Sequence, residues 1–217
     1  MTDAAHRPRA ARMTRDARRA QVLAVAQDLF AREGFHHVSM DDIAEQAAVS
    51  KPVLYRHFPS KLDLYLAVVD HRGEALVAAV DEALGAVGQA DAPAHGRAVV
   101  RAVVQAYVEF VEHAGESSSL LFESDVTHDD VVRARVERAS ADAAEVIGRA
   151  LRELAGLSLE QAALLGSALV GMVRVAATAR YRSGHVGVEE TVDLVTELAW
   201  RGVAGLVRER PGPADPP

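Results

Sequence analysis

The sequence of 217 residues contains no cysteine, which excludes both a disulfide framework and a thiolate metal site. Aromatic residues make up only 5%, and lysine occurs only at Lys51 and Lys61, so arginine supplies most of the positive charge. We find no apolar run long enough to cross a bilayer, and the arginine-rich start lacks the apolar stretch of a signal peptide. We therefore expect a cytoplasmic protein whose 49% hydrophobic content is enough to bury a core.

The charge is distributed unevenly along the chain. Residues 1–61 carry 10 Lys or Arg against 7 Asp or Glu, a net charge of +3. Residues 62–217 carry 14 against 24, a net charge of −10. A basic patch on an acidic protein can dock one end onto phosphate while the rest is repelled. The first part of the chain is therefore the candidate for binding a polyanion.

Two short helices joined by a tight turn are predicted within residues 38–61. Ser39 is a favourable N-cap for the first helix, and Ser50 is one for the second. In the second helix Leu54 and Phe58 continue an apolar stripe that faces inward. This spacing is typical of a helix-turn-helix, in which the second helix enters the major groove of DNA.

The outer face of the second helix has the composition of a DNA-reading surface. Lys51 and Arg56 can neutralise phosphate or donate to guanine, and the hydroxyl of Tyr55 can donate to phosphate. The methyl groups of Val53 can contact a thymine methyl. We therefore predict that this chain binds DNA.

The run VSKPVLYRHFPSK at residues 49–61 closely resembles the signature of the TetR family of bacterial transcription regulators. The segments FAREGF at 30–35 and VSMDDIA at 38–44 resemble that family too, so the match covers about residues 15–65. Ala48 stands where the turn of the family usually has Gly, and Val53 stands where Thr is common. These two departures leave the operator sequence undetermined.

The resemblance implies a set of residues at positions that contact DNA in the family. They are Ser39, Lys51, Pro52, Val53, Tyr55, Arg56, His57 and Lys61. It also implies a DNA-binding transcription regulator, most often a repressor, that binds a palindromic operator as a homodimer and is released by a small-molecule effector. Neither an enzymatic activity nor a cofactor is expected.

The predicted fold is all-α, with about nine helices and almost no strand signal. Besides the helix pair, the pattern predicts helices at about 15–33, 60–85, 95–113, 120–124, 128–155, 158–182 and 188–207, and a loop at 88–94. We expect an N-terminal three-helix DNA-binding domain at 14–61 and a C-terminal helical effector-binding and dimerisation domain at 62–210. Residues 1–13 are predicted to be a disordered basic arm, and residues 211–217 a disordered tail.

Two features leave alternatives open. The arginines of the arm at 1–13 could reach into a minor groove, or the arm could be a solvated tail. The helix at 158–182 is rich in small residues, and aliphatic residues surround Trp200 in the next helix. The family resemblance implies that these two helices form a four-helix bundle with their copies, whereas periodicity alone would equally allow an intramolecular core.

The resemblance also implies an effector cavity among the long middle helices. Candidate lining residues are Tyr65, Tyr107, Phe110, His113, Phe122, Glu123, Met172, Val173, Arg174 and Tyr181. The implied mechanism is a population shift in which a ligand tilts the long fourth helix and changes the separation of the two DNA-binding domains.

A metal-binding helical bundle, as an enzyme or a metal sensor, is the alternative function. Glu109 and His113 are four residues apart, and Asp125 and His128 are three apart. A di-iron bundle needs Glu-x-x-His motifs on two helices and further glutamates, and this repetition is missing. The sequence also lacks a Gly-x-Ser-x-Gly nucleophile motif and a phosphate-binding glycine-rich loop, so we predict neither a metal site nor an enzyme.

Overall fold

The computed structural model describes residues 14–87, 92–118, 120 and 129–208. These residues form eight α-helices and one short 3-10 helix, with no strand among them, which confirms the all-α prediction. The helices are α1 (Arg15–Glu33), α2 (Met40–Gln46), α3 (Lys51–His57), α4 (Lys61–Gly85), α5 (Ala92–Ala114), α6 (Asp130–Ala155), α7 (Leu159–Ser183) and α8 (Val188–Arg208), with the 3-10 helix η1 (Gly115–Ser118). The predicted arm, the predicted C-terminal tail, and the short helix at 120–124 apart from residue 120 lie outside the described residues.

The first three helices form a small domain, called here the head, around a continuous apolar core. Phe30 of α1, Ile43 of α2 and Leu54 of α3 are each at most 1% exposed. The ring of Tyr65 on α4 packs edge-on against Phe30 and Phe35, with centroids 5.2 Å and 5.1 Å apart. The start of α4 is therefore part of the same core as the head.

The long helix α4 connects the head to the remaining helices, called here the body. Ser60 caps it by accepting a hydrogen bond from Asp63 N, and its 25 residues span about 37 Å at 1.5 Å per residue. It crosses α6 closely, since a Cβ placed on Gly73 would lie 2.7 Å from Cβ of Ala139. The helix is thus held against the head at its start and against α6 at its middle.

Small residues bring α6 and α7 together inside the body. A Cβ on Gly148 would lie 2.9 Å from the carbonyl oxygen of Ala162, and a Cβ on Gly166 would collide with the carbonyl oxygen of Ala144. Part of the small-residue stripe predicted in this region therefore packs within the chain. Trp200 of α8 likewise packs on Gly96 of α5.

Several predicted boundaries were wrong by a few residues. The predicted loop at 88–94 overlaps α5, which already begins at Ala92, because proline is tolerated in the first turn, where amides need no partner within the helix. The helix predicted at 128–155 begins at Asp130, and the carboxylate of its N-cap, Asp129, accepts from Val131 N and Val132 N. The predicted end of α1 is confirmed at Glu33, and Gly34 follows it with a positive φ of 78°.

One helix contradicts the expectation that no segment could cross a bilayer. By length and composition alone α7 could do so, and only 28% of its most apolar window is buried within this chain. Most of this apolar window is therefore not covered by the other described parts of the chain.

Candidate functional site

Ser39 and Asp42 fix the start of α2 through a reciprocal capping box. The Ser39 hydroxyl accepts from Asp42 N at 3.1 Å, and the Asp42 carboxylate accepts from Ser39 N at 2.8 Å. The Ser39 hydroxyl also donates to that carboxylate at 2.6 Å, and these bonds to Ser39 lower the pKa of Asp42. Ser39, a predicted DNA-contacting residue, is therefore exposed and already held in one orientation.

The turn between α2 and α3 is stabilised from two sides. Val49 N donates to the carbonyl of Ala44 at 2.9 Å, and Nε2 of Gln21 on α1 donates to the carbonyl of Ala47 at 3.1 Å. Ala48 has a φ of 50°, in the left-handed region that glycine adopts at no steric cost. Because the turn needs this conformation, glycine would fit better there than alanine.

Helix α3 presents its predicted reading residues together on one side. Leu54 is fully buried, whereas Tyr55 is 46% exposed. Lys51, Pro52 and Arg56 are exposed as well, and Val53 and His57 are half-buried at the edge of the same surface. Ser50 is the N-cap as predicted, but its side chain makes no capping hydrogen bond.

Lys51 at the start of α3 forms an ion pair with Asp41 of α2. Nζ lies 2.7 Å from the carboxylate, and both side chains are more than half exposed. The hydrogen bond to Asp41 raises the pKa of Lys51, with the opposite charge of Asp41 as the next cause. A phosphate that bound this ammonium group would therefore have to compete with Asp41.

Lys61, predicted to contact DNA phosphate, also joins α4 to the head. Its Nζ donates to the carbonyls of Phe35 and Val38 at 2.8 Å and 2.9 Å, and it lies 4.4 Å from the centroid of the Phe35 ring. An ammonium group has three donors, so one remains for a phosphate.

Arginines of α1 extend the basic surface beyond the residues that the sequence motif indicated. Arg15 and Arg18 line a cleft of about 400 Å³ together with Arg56 and His57 of α3. Partial burial, followed by the positive charges of Arg15, Arg56, Arg19 and Arg18, lowers the pKa of His57. Arg15 precedes Arg18 and Arg19 by about one helical turn, a spacing that could have predicted this cluster. A cluster of this kind is suited to phosphate.

The candidate effector residues do not surround one cavity. Tyr65 is fully buried against the rings of Phe30 and Phe35 in the core of the head. Tyr107 is fully buried within the body. His113 is exposed, and its Nδ1 bonds the backbone carbonyl of Glu109 at 2.7 Å. Phe122 and Glu123 lie outside the described residues.

The remaining effector candidates lie on both sides of α7 and on α5. Val173 lines a narrow internal gap between α5, α6 and α7, whereas Arg174 lines an open groove on the outer side of α6 and α7. Phe110 lies under the guanidinium of Arg72 at 4.4 Å, and the hydroxyl of Tyr181 lies near Gly115. Met172 is partly buried against the core.

The internal gap is lined only by aliphatic side chains. Its volume is about 10 Å³, about the space of one water molecule. The lining residues are Val99, Val100, Val103, Val104, Ile147, Leu151, Leu169 and Val173. A ligand larger than water could enter only if the three helices moved apart.

The predicted alternative of a metal-binding bundle finds no support in the described part of the chain. No three His, Asp or Glu side chains there are grouped as a metal site. Glu109 accepts from Gln105 at 2.8 Å, and Glu112 pairs with Arg180. Asp125 and His128 lie outside the described residues.

Comparison with known proteins identifies the head. The family model described as "Bacterial regulatory proteins, tetR family" matches residues 22–68. The activator FasR of Mycolicibacterium smegmatis is 34% identical over 197 residues, which cover 89% of this chain and 86% of FasR. The chain belongs to the TetR family. It is therefore a DNA-binding transcription regulator and not an enzyme.

Two further proteins are also similar to this chain. A solved TetR-like transcriptional regulator from Rhodococcus sp. RHA1 is 31% identical, with a TM-score of 0.69, and the alignment covers 89% of this chain and 100% of that one. A transcriptional repressor of Mycobacterium tuberculosis is 36% identical over 89 residues, or 41% of this chain and 47% of the repressor. The similarity to the Rhodococcus and FasR chains thus extends through the body.

Proposed function

We propose that this TetR-family regulator binds a palindromic operator as a homodimer, with α3 of each copy in a major groove. The observation that carries the proposal is the surface of α3, where Tyr55 and Arg56 are exposed above a fully buried Leu54. One short helix reads only a few base pairs, so two copies about 34–36 Å apart or somewhat more supply the necessary length of site. In this proposal the basic cleft with Arg15 and Arg18 contacts the phosphate backbone.

The dimer interface that we propose is the outer face of α7 and α8. Among the described residues, seven large hydrophobic side chains are exposed, and five of them lie on these two helices. They are Leu159, Leu164, Val175, Leu194 and Leu198. Gly171 lies at helical spacing between Leu164 and Val175, so a second helix could approach α7 closely there.

We propose that a second copy, and not a bilayer, covers α7. The last part of this helix carries Arg174, Arg180 and Arg182, and arginine is costly within a hydrocarbon layer. Arg180 also pairs with Glu112 of α5, which fixes α7 within the body. We accordingly propose a cytoplasmic regulator, in which an exposed apolar patch marks a protein interface.

We further propose that a small-molecule effector acts through the body and that the regulator represses transcription. A dimer on an operator that overlaps a promoter blocks access by its volume, without a dedicated contact to polymerase. FasR, similar over most of this chain, is named an activator, and the M. tuberculosis relative is named a repressor. A reporter experiment must therefore distinguish repression from activation.

Selection of bound genomic fragments by the purified full-length chain tests the DNA-binding proposal. We expect enrichment of one inverted repeat, with two protein chains per site when light scattering measures the mass of the complex. A chain that is monomeric in solution and on DNA would refute the dimer. Tyr55→Phe is the matched variant, because it removes one exposed hydroxyl and leaves the buried core intact.

A reporter gene tests the sign of regulation. The selected site is placed either over the promoter or upstream of it, and reporter output is compared with and without the regulator. Lower output from the overlapping site supports repression. Higher output from the upstream site would instead make the protein an activator.

A further inference from the structure

Of the cations on and beside the exposed face of α3, Lys51 is distinguished by an ion pair. Its Nζ lies 2.7 Å from the carboxylate of Asp41, and both side chains are more than half exposed. No other ion pair occurs among the described residues of the head, so Arg15, Arg18 and Arg56 have no carboxylate partner there. The ion pair therefore gives Lys51 an electrostatic environment that the neighbouring arginines do not share.

Asp41 is not needed to fix the start of α2, because the next residue does so. Ser39 accepts from Asp42 N, and the Asp42 carboxylate accepts from Ser39 N, which completes the capping box. An ion pair between two exposed side chains also contributes little to the free energy of unfolding. The largest effect of the Asp41 carboxylate is therefore expected on what Lys51 binds.

The paired ammonium group of Lys51 retains two hydrogen-bond donors. An ammonium group has three N–H bonds, and Asp41 accepts one of them. Guanine presents two acceptors in the major groove, O6 and N7. Lys51 can therefore donate to both acceptors of a guanine while it remains paired with Asp41.

The carboxylate of Asp41 acts differently on a phosphate and on a base. A phosphate that approached Lys51 would also approach a carboxylate of the same sign of charge, and the two would repel each other. The edge of a guanine carries no net charge, so this repulsion is weaker there. The ion pair thus favours a base over a phosphate as the partner of Lys51.

The position of Lys51 in α3 is compatible with a base contact. In helix-turn-helix proteins the N-terminal residues of the second helix contact base edges, whereas the first helix crosses the DNA backbone. Lys51 is the first residue of α3, and the exposed Tyr55 lies one turn later on the same face. Asp41 belongs to α2, which is the helix that approaches phosphates in this arrangement.

We propose that Asp41 is a specificity-determining residue, which withholds Lys51 from phosphate and directs it to a guanine in each half of the operator. On DNA of any other sequence, the ion pair keeps Lys51 out of the phosphate contacts that dominate non-specific binding. At the operator, Lys51 donates to O6 and N7 of the guanine without leaving Asp41. This inference rests on the proposed function in placing α3 in the major groove.

The variant Asp41→Asn tests the proposal, because it removes the charge with little change of shape. Binding of the full-length protein to the selected operator and to an unrelated duplex of equal length is measured over a range of salt concentrations. We expect non-specific affinity to rise about fivefold per head at about 0.15 M salt, with about 0.9 unit more of salt slope, as one additional phosphate contact implies. Operator affinity should rise less, so that the ratio of the two affinities falls. An unchanged ratio would overturn the inference.

Asp28→Asn is the matched control for the change of net charge. Asp28 is an exposed residue of the head, and it lines a cleft with Ala114 and Ser117 of the body. This variant should leave the ratio of operator affinity to non-specific affinity as it is in the parent. An equal fall of the ratio in both variants would assign the effect to net charge and refute a specific role of Asp41. Thermal unfolding of Asp41→Asn should be close to that of the parent, and a large loss of stability would make Asp41 a structural residue.

Modified operators test the guanine contact directly. Each guanine is replaced in turn by an analogue that has carbon in place of N7. We expect the parent to lose about tenfold in affinity at one position of each half-site, as the loss of one acceptor of a two-acceptor contact implies. Lys51→Ala should lose no further affinity at that position, and Asp41→Asn should lose less than the parent. If no position loses its effect in Lys51→Ala, the guanine contact is refuted.

Operator binding by the parent separates this inference from the proposed function. A dimer that binds its operator, with a ratio of affinities that Asp41→Asn does not change, refutes the role of Asp41 and leaves the proposed function intact. A chain that selects no operator refutes the proposed function, and this inference with it.

Discussion

The head and the body satisfy their polar groups in different ways. In the head, Ser39, Asp42 and Lys61 make hydrogen bonds that hold the turn and the helix ends in place. In the body, the hydroxyls of Tyr107 and Thr178 are buried without partners. A surface that meets a rigid polyanion benefits from preorganisation. An unsatisfied buried hydroxyl costs free energy, so these two groups make the body less stable than a fully hydrogen-bonded core would be.

The head and the body also differ in net charge and in how their charged residues are arranged. The chain carries +3 over residues 1–61 and −10 over residues 62–217, and the α1 arginines lie beside α3. In the body the exposed ion pairs, such as Asp70 with Arg135, join α4 to α6. Charge thus orients the head toward DNA and, in the body, links neighbouring helices.

The largest expected effect comes from a substitution that destabilises the core of the head. Leu54→Ala removes a fully buried side chain and should cost about 2–5 kcal/mol of unfolding free energy. Operator binding should disappear with it, as measured by chemical denaturation and gel shift. Tyr55→Phe is the control on the neighbouring residue, and it should weaken operator binding without changing the unfolding midpoint. Equal stability of Leu54→Ala and the parent would show that the head core is wrongly assigned.

A substitution at Gly166 tests the close packing of α6 against α7 in the body. Gly166→Ala places a Cβ against the carbonyl oxygen of Ala144 and should cost about 3 kcal/mol through overpacking, measured by thermal unfolding. Gly85→Ala is the control, because nothing lies within 4 Å of a Cβ there. A Gly166→Ala protein as stable as the control would contradict the close crossing of α6 and α7.

Lys61 tests the junction between the two regions. Lys61→Ala removes two charge-assisted hydrogen bonds to backbone carbonyls and should cost about 2 kcal/mol. If its third donor binds a phosphate, the salt dependence of operator binding should also decrease by about one unit of slope. Denaturation measures the first effect and salt titration the second. An unchanged slope with reduced stability would leave Lys61 a purely structural residue.

Replacing Ala48, which has a positive φ in the turn between α2 and α3, should increase the stability of the head. Ala48→Gly removes the steric cost of a positive φ at a non-glycine residue, which should stabilise the head by about 1 kcal/mol. Chemical denaturation measures this change, and Ala47→Gly, at a right-handed position one residue earlier, should destabilise instead. A destabilised Ala48→Gly protein would contradict the turn geometry.

The smallest expected effect is a pH dependence of operator binding. Partial burial and the charges of Arg15, Arg56, Arg19 and Arg18 lower the pKa of His57 in the free protein. DNA phosphate neutralises these charges and raises that pKa, so binding takes up a proton. Affinity should therefore rise as pH falls from the pKa of His57 in the complex to its lower pKa in the free protein, by at most about tenfold per pH unit. His57→Gln should abolish this dependence, and a parent protein without it would show that phosphate does not reach His57.

Local sequence was sufficient for the helices and for the exposed face of α3. The Ser39 cap and the inward spacing of Leu54 and Phe58 depend on residues a few positions apart, so they could be predicted from the sequence. The bounds of α5 were less certain, because Pro93 is compatible both with a loop and with the first turn of a helix.

The DNA-reading motif and the helical fold were determined by the sequence itself, since propensity, capping and amphipathic spacing are short-range effects. Only the tertiary structure decided that Lys61 is bonded to the loop after α1, that Arg15 and Arg18 join the surface of α3, and that part of the small-residue stripe of α7 is occupied by α6. It also decided that Tyr107 and Thr178 are buried without partners. These contacts join residues far apart in the chain, and their free energy depends on how whole helices pack, which no local pattern encodes.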